Sequence, residues 1–150
     1  MASVSKEITI ERSADEVWEV IGDFATGPSR MAPGHVVDTR VEADTRIVTF
    51  SDGVVARERF VALDHENRRI VYAVVGDSLQ PAHDNASMHV RADGEGRCRL
   101  VWIHDVLPDD LAPVLDAAMT HGGAVIKQAF EARHGQQAGP RPRGGEQPLT

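Results

Sequence analysis

Residues 3–10 alternate imperfectly between polar and apolar and end at Glu11-Arg12, which predicts a first strand with one buried face. Ser13 follows as a helix N-cap. Glu16 three residues on completes a capping box, and Val17, Trp18, Val20 and Ile21 repeat at helical spacing up to a stop at Gly22. The stretch 24–34 is interrupted by Gly27-Pro28 and Pro33-Gly34, so it has room only for a short broken helix and then a turn.

From Val36 onward the chain reads as extended segments at 36–42, 45–50, 54–64, 69–76, 84–93 and 97–106, separated by turn formers such as Ser51-Asp52-Gly53 and Asp93-Gly94-Glu95-Gly96. None of these connections is long enough for a crossover helix, so the segments form an antiparallel meander. Pro108-Asp109-Asp110 opens a long helix over 109–134, with acidic residues at its positive end and Pro113 tolerated in the first turn. Leu111, Leu115, Ala118, Met119, Gly122, Ile126 and Ala129 fall on one face of it. Residues 135–150 hold Gly, Pro and Gln with almost no apolar residue and read as a disordered tail, which leaves 1–134 as the folded unit. A strand, two short helices, six strands and a long helix assemble into an α+β architecture: a curved seven-stranded antiparallel sheet around the C-terminal helix, with an internal cavity between them.

Composition narrows the partners. The chain has 150 residues, enough for one core and one domain, and 41% hydrophobic against 26% charged residues place it among folded proteins. A net charge of −7 with no Lys/Arg cluster argues against nucleic acid. The single Cys98 cannot form an internal disulfide, and there is neither a signal-like N-terminus nor an apolar run of about 18 residues. The expectation is a cytoplasmic protein without membrane insertion, for which a homodimer stays open.

The stretch Ser13-Ala14-Asp15-Glu16-Val17-Trp18-Glu19-Val20-Ile21-Gly22-Asp23-Phe24, followed by Pro33-Gly34-His35-Val36, resembles the opening of START-like, or SRPBCC, proteins. Residues 46–53, Arg57-Glu58-Arg59-Phe60, Asp64, Tyr72, Trp102 and Pro108 continue the resemblance in order, so that it covers roughly residues 4–133. It implies the helix-grip fold. The superfamily holds polyketide aromatase/cyclases, lipid carriers and plant hormone receptors, so the resemblance speaks for a hydrophobic ligand more than for one activity.

Strand parity selects the inward-facing residues, since alternate side chains leave a sheet on opposite faces. In 97–106, Leu100, Trp102, His104 and Val106 form the bulkier series, which turns Trp102 and His104 inward. The resemblance implies that Arg46, Glu58, Tyr72 and Asp84 also face the cavity, with Val48, Phe50, Phe60, Met88 and Met119 as its apolar wall. Glu58 on a central strand is a candidate proton acceptor unless Arg46 pairs with it, in which case the two form a polar anchor or strut. His104 suits acid/base work but equally suits hydrogen-bonded packing. Tyr72 can orient a ligand oxygen or sit in the core with its hydroxyl at the rim, and Asp84 can line the cavity or stand solvated beside the 76–81 loop.

The preferred activity is cofactor-independent cyclisation, dehydration or isomerisation of a polyketide-like or aromatic molecule, with Glu58 or His104 moving a proton and Arg46 or Tyr72 stabilising an enolate oxygen. The alternative is a non-catalytic carrier or sensor of a small lipid or metabolite. No metal is expected: His83 and His89 share a strand face without a third ligand. Cys98 reads as core, and Gly94-Glu95-Gly96 as a hairpin turn rather than a dinucleotide loop. Gly122-Gly123 inside the long helix costs about 1 kcal/mol per Gly relative to Ala. Room for a ligand or close helix-to-sheet contact would offset that.

Overall fold

The computed structural model describes residues 1–138. β1 (Ala2–Ile10) leads into α1 (Ala14–Ile21), which starts where the local chemistry directs. The Ser13 hydroxyl accepts from the Glu16 backbone N–H while the Glu16 carboxylate accepts from the Ser13 N–H, so two otherwise orphaned donors are satisfied. The helix buries Ala14, Val17, Trp18, Val20 and Ile21 and ends at Gly22, where a side chain would run into the Trp18 indole. The single turn α2 (Gly27–Met31) carries Pro28 near its start.

Six strands then run as a meander: β2 (Val36–Glu42), β3 (Thr45–Phe50), β4 (Val55–Asp64), β5 (Arg69–Asp77), β6 (His83–Ala92) and β7 (Cys98–Leu107). β1 adds to the outer side of β7, giving a curved antiparallel sheet in the order β1-β7-β6-β5-β4-β3-β2. Two bulges bend the β4–β5 pair: Val75 is extra on β5 beside Glu58, and Val61 is extra on β4 beside Phe60. A short 3-10 turn (Asp109–Leu111) leads into α3 (Ala112–Ala138).

α3 lies on the sheet through Leu115, Met119, Gly122, Ile126 and Phe130, spaced three or four residues apart. Leu115 and Met119 pack on Val4 and Val106. Ile126 and Phe130 join the larger core formed by Ile10, Leu100, Met88, Val90 and the buried face of α1. The predicted helical face changes in two places: Ala118 is exposed, and Phe130, absent from the prediction, is buried instead. The glycine pair is explained by close contact. A Cβ on Gly123 would lie 2.8 Å from Ile8 Cδ1 on β1, and one on Gly122 would lie 3.4 Å from the Trp102 ring. α3 runs to Ala138, four residues beyond the predicted 134, so the tail expected from 135 begins inside the helix and its remainder lies outside the described residues. Among the described residues no helix is long and apolar enough to cross a membrane.

Candidate functional site

Among the described residues, five polar or charged side chains, Arg12, Arg46, Glu58, Asp84 and His104, are buried. Arg12 belongs to the end of the molecule near α1, where it bonds Glu16 and the Phe130 carbonyl oxygen. The other four sit on the sheet, and the register shows how. Phe60, Tyr72, Ala86, His104 and Val4 lie side by side across five strands, in that order. Directly paired residues project to the same face, so the row presents Tyr72 and His104 to the inside, separated by a single methyl group. One step along the strands, Glu58 pairs with Arg46 on one side and Val74 on the other.

Arg46 is enclosed. Its Nε donates to Glu58 Oε1 at 2.8 Å and its Nη1 to the Phe24 carbonyl oxygen at 3.1 Å. The guanidinium carbon stands 4.7 Å from the centre of the Phe24 ring and 4.9 Å from that of Tyr72, a cation between two aromatic rings. Of the two readings of Glu58, the paired one is the geometry found, with both charges largely removed from solvent.

The Trp102 indole Nε1–H donates to the Tyr72 hydroxyl oxygen at 3.2 Å. An indole nitrogen only donates, so the phenol proton is directed elsewhere and stays available for an acceptor. Burial, reinforced by the nearby Glu58 charge, drives the Tyr72 ionisation far above the ordinary phenol range, so Tyr72 acts as a neutral hydroxyl. His104 Nδ1 lies 2.7 Å from Asp84 Oδ1, and the His104 ring faces Tyr72 edge-on at 6.0 Å and lies tilted against Trp102 at 5.9 Å. Asp84 is 2% exposed, so it is not a solvated rim carboxylate; its Oδ2 is buried without a hydrogen-bond partner.

The parity of β7 places the predicted residues as expected: Leu100, His104 and Val106 are buried and Trp102 half-buried, whereas Arg99 is exposed. Val48, Met88 and Met119 are buried, Val48 and Met88 in the core under α1 and Met119 under α3. Phe50 is half-buried and meets His35. Phe60 shares the inner face with Tyr72, is 37% exposed and packs edge-on against Phe24 at 5.4 Å.

Two contributors had no signal in the strand pattern. Phe24, in the broken stretch before Gly27-Pro28, supplies both a ring and a carbonyl to Arg46. His35, on the loop into β2, meets His121 of α3 edge-on at 4.8 Å, so loop and helix touch through two imidazoles. Burial and the neighbouring His121 charge push the His35 imidazole below its usual 6.5. Cys98 is buried, and burial raises its thiol to about 11, an inert core group. A groove of about 410 Å³ opens on the other flank of α3, against β1, between Lys6, Thr9, Thr120 and Lys127; of the predicted site residues only Met119 borders it.

The arrangement groups a neutral hydroxyl, an imidazole and an indole on the inner face of the sheet. No protein of curated function matches the sequence. Solved structures resemble the fold at low identity. XoxI from Bacillus cereus superposes with a TM-score of 0.78 at 18% identity, over 89% of this chain and 99% of that one. Norcoclaurine synthase from Thalictrum flavum, in complex with dopamine and hydroxybenzaldehyde, gives 0.66 at 19% identity over 90% and 87%. The di-domain ARO/CYC protein BexL of the BE-7585A biosynthetic pathway gives 0.70 at 18% identity over 93% of this chain and 48% of its own length. The family model described as polyketide cyclase / dehydrase and lipid transport matches residues 1–135, and with the helix-grip architecture this makes the chain a member of that family.

Proposed function

We propose that the protein binds a hydrophobic aromatic or polyketide-like molecule between the sheet and α3 and moves a proton on it without a cofactor, driving cyclisation, dehydration or isomerisation. The observation that carries this reading is the row Tyr72–Ala86–His104: a neutral hydroxyl and an imidazole, both buried, with Trp102 beside them and only a methyl group between. A hydroxyl that donates to a developing enolate oxygen and an imidazole that takes the proton are the two groups such chemistry needs. Family membership and the norcoclaurine synthase and ARO/CYC neighbours support the same substrate class. Arg46 and Glu58 neutralise each other and serve as a polar anchor at the edge of the site.

That anchoring also favours a second reading, a carrier that holds its ligand unaltered. Benzoylacetone, an aromatic molecule with an acidic methylene between two carbonyls, separates the two. The enzyme reading expects the protein to speed exchange of the methylene protons for solvent deuterium, with roughly a hundredfold loss in His104→Ala, the scale of a positioned base. Binding seen at the Trp102 indole resonance without accelerated exchange rejects the enzyme and leaves the carrier.

A further inference from the structure

We infer that Asp84 is the positioning residue of the site: it holds His104 in the Nδ1–H tautomer, which makes Nε2 the proton acceptor. The inference rests on the acid/base reading above and goes beyond it by assigning the proton to one ring nitrogen and the control of it to one carboxylate.

The geometry is specific. Asp84 lies on β6 and His104 on β7, offset by one pair in the ladder, since Asp84 faces Val106 and His104 faces Ala86. The two side chains meet diagonally on the inner face, Oδ1 to Nδ1 at 2.7 Å, with Asp84 2% and His104 5% exposed. An ionised carboxylate only accepts, so the hydrogen of this bond belongs to Nδ1, and the neutral ring then carries a lone pair on Nε2. Nε2 has no hydrogen-bond partner among the described residues. The groups around the imidazole are Tyr72 from β5, Trp102 from β7 and Val4 from β1, with the Arg46–Glu58 pair beyond Tyr72.

Asp84 Oδ2 is buried and accepts from no protein donor, so among the described residues His104 is the one group that bonds this carboxylate. When a carbonyl-activated C–H gives its proton to Nε2, the bonding pair moves to the carbonyl oxygen as an enolate facing the Tyr72 hydroxyl. The ring becomes an imidazolium whose positive charge lies beside Asp84. Charge is thus balanced at both ends of the transfer: the hydroxyl at the oxygen, the carboxylate at the ring.

The test is nitrogen-15 NMR of the histidine side chains in the ligand-free full chain. Wild-type His104 is expected to show a protonated Nδ1 and an unprotonated Nε2 near neutral pH. In Asp84→Asn the carboxylate that fixes Nδ1–H is gone, and that pattern is expected to give way to Nε2–H, the form imidazole prefers by itself and one to which the amide N–H can donate at Nδ1. Benzoylacetone exchange should fall at least tenfold in this variant through turnover rather than KM. An Nε2–H tautomer in the wild type overturns the inference whatever Asp84→Asn does, including failing to fold, and an unchanged tautomer in a folded Asp84→Asn also overturns it. Because the tautomer is read without ligand, it fails separately from the acid/base reading. A wild type that binds benzoylacetone at Trp102 but never speeds exchange sinks that reading, and the acceptor role with it, even where the Nδ1–H form is present.

Discussion

Tyr72 and His104 belong to strands that are not neighbours, yet their rings meet edge-on at 6.0 Å because the residue between them on β6 is alanine. Ala86 is completely buried, and its methyl group is the floor over which the two candidate side chains face each other. Replacing it with Leu forces extra methylenes into a filled space, at a cost of about 1–3 kcal/mol. Ala86→Leu should lower the urea midpoint accordingly and part the two rings, seen as loss of the Tyr72-to-His104 ring NOE. Ala86→Gly should leave that NOE in place.

The Arg46–Glu58 pair predicts a coupled loss of stability. Removing one partner leaves the other charge buried and unanswered, which typically costs about 3–5 kcal/mol, whereas removing both spares that penalty. Arg46→Met and Glu58→Gln should each destabilise in urea, and the double variant should be less destabilised than the sum. Additive losses would show that the two act independently.

Acid should weaken the first helix through Glu16. The hydrogen bond from the Arg12 guanidinium, aided by Ser13, lowers the Glu16 carboxyl from 4.5 to about 2. The folded-state value is depressed, so the stabilisation is complete above 4.5 and disappears as pH falls from there toward 2. Glu16→Gln should therefore be less stable than wild type at pH 7, by thermal unfolding, with the difference shrinking as pH falls from 4.5 through about 2. Ser13→Ala should cost about 1 kcal/mol as the cap is lost.

His35 acts higher in the pH range. Its folded-state value lies below 6.5, first through burial and then through His121, so the neutral ring is the form the fold prefers. Above 6.5 both folded and unfolded chains hold it neutral and stability is flat. As pH falls through 6.5 the unfolded chain takes up the proton first and stability declines, until the folded ring titrates as well. His89, also lowered by burial and by Arg91 and Arg69, adds to the same slope. His35→Gln should retain a smaller decline between pH 7 and pH 5 than wild type, and a slope equal to wild type would exclude a role for the His35–His121 contact.

Much of the fold was legible because its signals are local. The Ser13–Glu16 box, the apolar spacing of α1 and the inward series Leu100, Trp102, His104 and Val106 each depend on residues within a few positions of one another, and all reappear in the structure. What escaped was set by distant geometry. The extra residues Val61 and Val75 shift the β4–β5 register, and no alternation rule reports an inserted residue. Asp84 was open between cavity and rim because the group that buries it, His104, comes from the next strand. Ala118 was wrongly turned inward because the face of α3 is decided by its seat on β1, where Gly123 and Ile8 set the approach, whereas Phe130, four residues after Ile126, continues the apolar spacing and was legible in the sequence.

That seat distinguishes the two helix glycines. Both should gain about 1 kcal/mol of helix propensity on becoming alanine, so the surroundings decide the sign. At Gly122 the new methyl would stand 3.4 Å and 3.5 Å from the edge of the Trp102 ring, an ordinary contact, and Gly122→Ala should fold with equal or greater stability. At Gly123 it would fall 2.8 Å from Ile8 Cδ1, closer than carbon atoms approach, and a tight 3.3 Å from Cγ1, so Ile8 must turn aside or α3 must lift from β1. Gly123→Ala should therefore be less stable than Gly122→Ala by urea unfolding, and Ile8→Val in the same chain should restore part of the loss by removing the crowding methyl. The two also part in function. At the proposed site a methyl over the Trp102 ring narrows the space beside the helix, so Gly122→Ala should weaken benzoylacetone binding while the fold is intact, whereas Gly123→Ala with Ile8→Val should bind as wild type does. Equal binding by all three would place the ligand away from Trp102.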